Sequence, residues 1–264
     1  MKNISDRKRI VVKVGTSTLT HRTGMLNIRR VEQLVKTLAD IQNSGHEVIL
    51  VSSGAIGLGM GKLGLRERPK DTPGKQACAA VGQCELMYLY DNLFAEYSIT
   101  VAQMLLTKYI LLEDRRKNVE NAMERLIAHG VIPIINENDT VAIDELELEV
   151  GENDSLAATV AAIAKADLLI IMSDIDGLYD KDPHTYDDAR LIPVVHEITD
   201  DIRALAGGAG TNLGTGGMIT KLNAVEIAYD SDIDVVLMNG QHPKTLYDLF
   251  DGKTVGTFFC KKPD

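Results

Sequence analysis

The chain has 264 residues, of which 45% are hydrophobic and 25% are charged, so it carries enough apolar sequence for a sizeable core and intrinsic disorder is excluded. Lys and Arg number 28 against 38 Asp and Glu, which gives a formal net charge of −10. This balance disfavours loose electrostatic binding to nucleic acid or to an anionic membrane, and we expect neither as a partner.

The lengths of the apolar runs and the spacing of cysteines and histidines exclude further classes of protein. The first apolar run, Ile10–Val14, is far shorter than the core of a signal peptide, and the longest, Leu156–Met172, is interrupted by Lys165 and Asp167. We therefore expect a soluble, cytoplasmic protein. The three cysteines include no Cys-x-x-Cys pair and the six histidines are scattered, so neither a disulfide framework nor a metal site is predicted.

Short apolar runs rich in Val and Ile recur along the chain, with helical patterns between them. This alternation is typical of parallel strands joined by crossover helices, whose strands are nearly all apolar because both faces are covered. We therefore predict an α/β fold with a central, mostly parallel sheet. The predicted strands are, in chain order, Ile10–Val14, Glu47–Val51, Thr100–Leu105, Val131–Ile135, Leu168–Met172 and Val235–Met238.

Helices are predicted between these strands. From Asn27 to Asn43 apolar side chains repeat every three or four residues, so one stripe of this helix packs on the sheet, and Gly45 marks its end. Further helices are predicted at about Gln76–Tyr97, at Arg115–His129, and from Asp154 or Ser155 through the alanine-rich Leu156–Ala166.

Two segments depart from the alternation. Thr140–Gly151 alternates polar and apolar residues, which indicates a hairpin with one solvated face. Leu63–Lys75 is polar and basic, which is typical of a mobile cover or a subunit contact. There is no internal repeat or low-complexity linker. We predict a single domain over residues 1–264, with one sheet divided into lobes of about 1–166 and 167–264.

Five polar or glycine-rich segments follow the predicted strands or open a predicted helix, at the sheet edge where open α/β proteins bind ligands. The first is Val12–Ser17, in which Lys13 lies inside a buried strand and Gly15 begins a turn of small residues. A buried ammonium needs an anionic partner, so Lys13 is either in a structural ion pair or in contact with a phosphate, and both interpretations stay open.

The second segment is the glycine-rich run Ser52–Gly59. Gly54 and Gly57 would let the backbone approach a ligand closely, and amides at a helix start would favour an anion. The run is neither the dinucleotide fingerprint nor the Walker A pattern, and a tight turn is the alternative.

The third feature is a pair of Asn and acidic clusters, Asn136–Asp139 and Gly151–Ser155. Either cluster could serve only as a turn or a helix cap. At one edge of the sheet, however, Asn side chains could bind an ammonium or a carboxylate, and Asp139 could pair with a positive charge of a substrate.

The last two segments are Ser173–Tyr179, after the fifth predicted strand, and Gly214–Lys221, which opens a helix. A glycine-rich loop that leads into a helix and ends in a lysine can cradle a phosphate chain with backbone amides and one cation. A merely flexible loop is the alternative.

Taken in order, these segments resemble the amino acid kinase family. The matching stretches are Val-Val-Lys-Val-Gly-Thr-Ser (11–17), Ser-Gly-Ala-Ile (53–56), Gln-Met-Leu-Leu-Thr (103–107), Ile-Asn-Glu-Asn-Asp (135–139), Gly-x-Asn-Asp (151–154), Ser-Asp-x-x-Gly-Leu-Tyr (173–179) and Gly-Thr-Gly-Gly-Met-x-Thr-Lys (214–221). They cover almost the whole chain, and their combination is specific although each alone is weak. The resemblance implies a three-layer α/β/α sandwich.

The resemblance also implies a role for each site residue. Lys13 and Lys221 would contact the transferring phosphoryl group, and Asp154 would orient both lysines. The residues that would hold the substrate, L-glutamate, are Ser53, Gly54, Asp139 and Asn153. The residues that would line the ATP site are Lys13, Ser173, Asp174, Thr215, Gly216, Gly217, Met218, Ile219, Thr220 and Lys221. Mg²⁺ would accompany ATP.

The reaction implied is transfer of the γ-phosphate of ATP to the γ-carboxylate of glutamate, which begins proline synthesis. A carboxylate with a pKa of about 4.3 is already ionised at neutral pH, so no general base is needed. In agreement, no histidine lies in the five segments. In-line positioning and positive charge are needed instead, and two lysines, Mg²⁺ and backbone amides would supply them.

Two alternatives stay open. One is a kinase of the same fold that acts on acetylglutamate, aspartate, carbamate or a nucleoside monophosphate, although an acidic residue such as Asp139 would have no purpose beside an N-acetylated substrate. The other is a catalytically silent sensor of an amino acid or nucleotide, against which the presence of both lysines and Asp154 argues.

Regulation and assembly are expected from the resemblance alone. It implies proline as a feedback inhibitor and a homo-oligomer, either a dimer or a tetramer. The apolar residues of Gln76–Tyr97 could pack against a partner or against the chain's own core. Many family members continue into a C-terminal PUA domain, and we expect this chain to be the kinase-only form. Glu152 stands where relatives carry Asp, which we expect to shift a contact to glutamate or proline.

Overall fold

The computed structural model describes residues 4–21, 25–107, 113–141, 153–183, 185–206 and 217–261. The strands in these ranges are β1 (Arg9–Val14), β2 (Glu47–Ser52), β3 (Val101–Leu106), β4 (Ile132–Glu137), β5 (Leu168–Ser173), β6 (Val194–Val195), β7 (Asp234–Asn239) and β8 (Thr257–Phe259). They form one sheet in the order β3-β4-β2-β1-β5-β7-β8-β6. Neighbouring strands are parallel except β7 and β8, which are antiparallel.

Helices connect the strands. Those in the described ranges are α1 (Thr16–Leu19), α2 (Ile28–Asn43), α3 (Ala55–Leu63), α4 (Thr72–Ala95), α5 (Glu113–Ala128), α6 (Asn153–Ala164), α7 (Asp200–Ala206), α8 (Met218–Tyr229) and α9 (Thr245–Phe250), and a 3-10 turn spans Ile4–Asp6. In this part of the chain no helix is long and apolar enough to cross a membrane.

The sheet lies between two helical layers, because successive side chains of a strand point to opposite faces. In β1, Val11 belongs to a buried cluster that also contains residues of α6 and α8. Its neighbours Ile10 and Val12 belong to a second cluster, which contains residues of α2, α4 and α9. The predicted three-layer α/β/α sandwich is therefore confirmed.

The six predicted strands are confirmed, with ends that differ by one or two residues. One expectation about them is wrong. The strand predicted at Thr100–Leu105 was expected to be covered on both faces, but β3 lies at the edge of the sheet, where Gln103 is exposed and most of its neighbours are only partly buried. The short strands β6 and β8 were not predicted, because two or three residues are too few to show a periodic pattern.

The glycine-rich run after β2 is a helix, so its interpretation as a tight turn is wrong. Gly54 has a φ of 97° and caps the start of α3. A Cβ atom on Gly59 would lie 1.8 Å from the carbonyl oxygen of Cys78, and one on Gly82 would lie 1.7 Å from that of Ala55. Glycine therefore allows α3 and α4 to pack with their backbones in contact, which no turn preference would reveal.

The predicted helices are confirmed, with small shifts at their ends. The largest shift is in α4, which begins at Thr72 rather than Gln76 because the Asp71 side chain accepts a hydrogen bond from the Gly74 amide and Pro73 fits the first turn. The predicted hairpin lies almost entirely in residues 142–152, outside the described residues. The connection between α3 and α4 is largely exposed, and its function as a cover or a subunit contact stays a prediction.

Candidate active site

Three charged side chains converge near the carboxyl ends of the central strands. Lys13 comes from β1, Asp154 from the first turn of α6, and Lys221 from the first turn of α8. The Nζ atom of Lys13 lies 2.6 Å from Asp154 Oδ1, and that of Lys221 lies 3.3 Å from Asp154 Oδ2. Their exposed fractions are 8%, 1% and 5% in the order Lys13, Asp154, Lys221. We call these three residues the charged triad.

Local sequence explains how the charged triad is positioned. The apolar residues of β1 bury the strand and carry Lys13 to its carboxyl end. A Cβ atom on Gly15 would lie 3.7 Å from Lys13 Nζ, an ordinary contact distance, so the backbone at Gly15 lies directly beside the ammonium. Asp154 lies in the first turn of α6, where the helix dipole favours a negative side chain.

The two lysines keep Asp154 ionised despite its burial. Burial by itself would raise the pKa of this carboxyl, but the charges of Lys13 and Lys221 and the hydrogen bonds they donate lower it below its ordinary value of 3.8. Two ammonium groups around one carboxylate leave the charged triad with a net positive charge. Lys13 is thus in an ion pair, and the surplus charge favours an anionic ligand at this place.

The start of α8 adds hydrogen-bond donors beside Lys221. Gly217 precedes the helix and makes no side-chain cap, and the N–H groups of a first helical turn favour anions. Thr220 Oγ1 donates to the Gly217 carbonyl at 2.8 Å and lies 3.4 Å from Asp154 Oδ2. Met218 is half-buried, whereas Ile219 is 50% exposed. Thr215 and Gly216, also predicted to bind nucleotide, lie outside the described residues.

A second cluster of neutral polar side chains adjoins the charged triad. Asn153 Nδ2 donates to Ser53 Oγ at 2.6 Å and to Asn136 Oδ1 at 3.4 Å. Asn136 Nδ2 donates in turn to Gln83 Oε1 at 2.8 Å. We call Ser53, Gln83, Asn136 and Asn153 the amide cluster. The structure thus brings together Ser53 and Asn153, which the sequence placed in one site.

The site predicted from the sequence does not include Gln83. It lies on α4, far along the chain from the motifs that follow the strands. In the sequence Gln83 is a long polar residue between Gly82 and the buried Leu86, and this pattern does not by itself indicate contact with the ends of the strands. Seven residues further on, Tyr90 Oη bonds Ser52 Oγ at 2.9 Å, so one face of α4 contacts the ends of both β2 and β4.

The other two predicted substrate residues lie at the same edge of the sheet. Gly54 directly follows Ser53, and a Cβ atom at this position would lie 3.5 Å from Leu19 Cδ1. Asp139 lies in the turn after β4 and is partly buried. Their contact with a substrate stays a prediction.

The predicted nucleotide residues of β5 lie at its carboxyl end. Ser173 Oγ donates to Asp174 Oδ1 at 3.0 Å, and the carboxylate of Asp174 is exposed. Beside them Asp176 accepts from Asn239 Nδ2 at 2.7 Å and from Tyr179 Oη at 3.0 Å. Burial and the neighbouring Asp176 raise the pKa of Tyr179, so its hydroxyl keeps the proton that it donates. The sequence did not predict this link, which joins the ends of β5 and β7.

The side chains of the described residues limit how a metal ion could be held. In the described residues, no three His, Cys, Asp or Glu side chains are grouped closely enough to hold a metal ion. Mg²⁺ is often held by one or two carboxylates together with phosphate oxygens and water. The exposed carboxylate of Asp174 is a donor of this kind, so the site fits an ion that is bound together with a nucleotide.

Comparison with known proteins identifies relatives over nearly the full chain. The amino acid kinase family matches residues 8–239. The chain is 52% identical over 264 residues to the glutamate 5-kinase of Clostridium perfringens (strain 13 / Type A), covering 99% of this chain and 98% of that protein. It is also 52% identical over 252 residues to the glutamate 5-kinase of Caldanaerobacter subterraneus subsp. tengcongensis, covering 95% of this chain and 67% of that one.

Solved structures of more distant proteins share the fold. Carbamate kinase from Giardia lamblia bound to AMP-PNP superposes with a TM-score of 0.68 at 18% identity, covering 98% of this chain and all of that one. UMP kinase from Bacillus anthracis gives a TM-score of 0.64 at 16% identity, covering 97% of each chain. At these identities the similarity concerns the fold alone, and it agrees with the α/β sandwich described above.

Proposed function

The chain belongs to the amino acid kinase family and, within it, to the glutamate 5-kinases, and we propose that the charged triad and the amide cluster form the two halves of its active site. The reaction is transfer of the γ-phosphate of ATP to the γ-carboxylate of L-glutamate, which yields L-glutamyl 5-phosphate and ADP and begins proline synthesis. One observation carries the assignment. Asn153 and Asp154 are consecutive residues of α6, and each belongs to one of the two clusters.

The chemistry needs charge and position rather than proton transfer. The γ-carboxylate is ionised at neutral pH and attacks without a general base. The transition state carries its charge on the phosphoryl oxygens, so fixed cations and amides placed around it lower the barrier. In the proposed site Lys13 and Lys221 neutralise this charge, and they are buried, so water does not screen them.

Asp154 is the positioning residue for both lysines. Each of its oxygens faces one ammonium, so a single carboxylate fixes the separation of two cations that come from different elements. Because Asp154 is charged and buried, the two lysines also remain compatible with a folded core before any phosphate arrives.

Glutamate binds at the amide cluster in this proposal. Ser53 and Asn153 provide the contacts at the ends of β2 and α6, the backbone at Gly54 approaches the substrate closely, and Asp139 pairs with the α-ammonium. Since Asn153 adjoins Asp154, a glutamate held here directs its γ-carboxylate toward the two lysines, as an in-line transfer requires.

ATP binds on the other side of the charged triad. Ser173 and Asp174 line the ATP site at the carboxyl end of β5, and the segment Thr215–Lys221 provides backbone amides and a lysine for the phosphates. Mg²⁺, when bound, would be held by Asp174 together with the nucleotide, and it would supply positive charge that offsets the charge of the phosphates. The two substrates would then divide the domain into a glutamate lobe of about 1–166 and a nucleotide lobe of about 167–264.

The decisive experiment is an ATP-dependent assay with hydroxylamine, which traps an acyl phosphate as a hydroxamate. We expect ADP and hydroxamate to form together with glutamate, and far less with N-acetylglutamate, aspartate, carbamate or UMP. Turnover confined to one of the other acceptors would assign the chain a different substrate. Binding of glutamate and ATP without ADP release would identify a silent sensor.

Regulation and assembly are further parts of the proposal. Proline is expected to inhibit at or near the glutamate pocket, which a titration of proline against glutamate tests by the pattern of competition. A dimer or tetramer is expected, which sedimentation of the purified chain tests. Both expectations come from the family.

A further inference from the structure

One side chain of α4 sets the direction of the hydrogen bonds in the amide cluster. Asn136 Oδ1 accepts from the Glu137 backbone amide at 2.9 Å and from Asn153 Nδ2 at 3.4 Å. With its oxygen engaged in this way, Asn136 presents its NH₂ group to α4, where Gln83 Oε1 accepts at 2.8 Å. An acceptor at Gln83 is therefore the partner that this orientation of Asn136 requires.

The hydrogen bond from Asn153 to Asn136 also orients the side-chain amide of Asn153. Its NH₂ group is used by Ser53 Oγ and by Asn136 Oδ1. Its carbonyl oxygen Oδ1 is buried and has no hydrogen-bond partner among the described residues. Buried acceptors are rarely left without a donor, so Asn153 Oδ1 marks the place where a ligand supplies one. The ammonium group of an amino acid is such a donor.

We propose that Gln83 is a specificity-determining positioning residue, which acts through Asn136 to make Asn153 present its carbonyl oxygen to the substrate's amino group. The inference rests on the proposed function, since it assumes that glutamate binds at the amide cluster. Without an acceptor at position 83, the NH₂ group of Asn136 loses its partner, so the Glu137 amide alone holds the Asn136 oxygen toward Asn153 and this orientation is weakened. Asn153 is then free to turn its own NH₂ group toward the substrate, where it opposes an ammonium.

Two variants and one control test the inference. Gln83→Met removes the acceptor at nearly constant size, whereas Gln83→Glu keeps an acceptor toward Asn136. Asn92→Leu removes an exposed amide of the same helix, whose Nδ2 donates to the Tyr88 carbonyl within α4. The readouts are KM for glutamate, KM for ATP, thermal unfolding, and the inhibition constant of glutarate, which has both carboxylates of glutamate but no amino group.

For Gln83→Met we expect KM for glutamate to rise about tenfold, the scale of a lost hydrogen bond to a charged group, while KM for ATP and the glutarate inhibition constant stay unchanged. Gln83→Glu and Asn92→Leu should keep the wild-type preference for glutamate over glutarate. A merely structural role would weaken glutamate and glutarate alike and lower the unfolding temperature.

Three results would overturn the inference. They are an unchanged KM for glutamate in Gln83→Met, an equal loss for glutamate and glutarate, and a Gln83→Glu variant as impaired as Gln83→Met. Each of these requires an active wild type, so each leaves the proposed function standing. A wild type that releases no ADP with glutamate would instead overturn the proposed function, and this inference with it.

Discussion

Lys13 Nζ lies 2.6 Å from Asp154 Oδ1, and the same carboxylate holds Lys221 through its other oxygen. Lys13 belongs to β1, the strand with β2 on one side and β5 on the other, and Lys221 belongs to α8, which precedes β7. One acidic side chain thus joins cations from both halves of the sheet. The separation of the two ammonium groups therefore depends on this shared carboxylate.

Replacing the carboxylate should harm both activity and stability. In Asp154→Asn two buried ammonium groups lose the carboxylate that they share, so we expect the unfolding free energy of the ligand-free protein to fall by about 3 kcal/mol. We also expect kcat to fall by about 100-fold, since the lysines lose their fixed separation. Urea unfolding and ADP release measure the two effects.

An ion pair away from the site provides the matched control. Asp234 is the first residue of β7, so it lies at the opposite end of the strands from the charged triad, and it pairs with Arg7. Asp234→Asn should lower stability without lowering kcat. A kcat loss in this variant equal to that of Asp154→Asn would mean that activity follows stability alone.

Removing one lysine should leave a more stable protein than removing the carboxylate. In Lys13→Met or Lys221→Met, Asp154 still has one ammonium, so the buried charges balance. Each variant should nevertheless lose at least about 100-fold in kcat, because half of the charge around the phosphoryl group is gone. Near-normal kcat in either variant would remove that lysine from the proposed mechanism. Urea unfolding of both lysine variants and of Asp154→Asn checks the expected order of stability.

The lowered pKa of Asp154 predicts how its contribution to stability depends on pH. A group whose pKa is lower in the folded protein stabilises the fold above its ordinary value, here 3.8, and loses this contribution as pH falls through the folded value. The stability difference between wild type and Asp154→Asn should therefore be constant above about pH 5 and shrink below about pH 4. A difference that grows on acidification would contradict the lowered pKa.

The sequence predicted best those features that depend on short stretches of chain. The runs of β1 and β5 are short and mostly apolar, as expected for strands that are buried on both faces, and the strand ends determine where the following residues lie. The edge strand β3 shows the limit, since an apolar run does not reveal its position in the sheet.

The amide cluster shows why part of the site could not be predicted. Ser53 and Asn153 adjoin predicted strand and helix ends, so topology alone brings them together. Gln83 reaches them only because α4 packs against α3 through Gly59 and Gly82, a contact between backbones far apart in the chain. A contact of this kind leaves no pattern in the local sequence, and the run that contains Gly59 had a tight turn as its alternative interpretation.

Loss of the serine hydroxyl should weaken glutamate binding. In Ser53→Ala the Asn153 Nδ2 loses its 2.6 Å acceptor, so we expect KM for glutamate to rise about five- to tenfold with little change in KM for ATP. Ser44→Ala removes a hydroxyl that bonds the Ile41 carbonyl at the end of α2, and it should leave both constants unchanged. Steady-state kinetics with each substrate varied distinguishes the two, and equal changes in both KM values would speak against a local role for Ser53.

The contact between α3 and α4 predicts a reversal of the usual effect of glycine in a helix. Gly→Ala in a helix interior ordinarily stabilises by about 1 kcal/mol. At Gly82, however, the new Cβ would lie 1.7 Å from the Ala55 carbonyl oxygen and 2.5 Å from the Gly59 nitrogen, so the helices must separate. We expect Gly82→Ala to destabilise by about 1–3 kcal/mol, the usual cost of overpacking. It should also raise KM for glutamate, because Gln83 moves with the helix.

The control is Ala80→Gly, at an exposed position of α4, which should cost about 1 kcal/mol through helix propensity alone and leave KM for glutamate unchanged. Thermal unfolding and glutamate kinetics on both variants test this, and a rise in the unfolding temperature of Gly82→Ala would show that the helices have room for the methyl group.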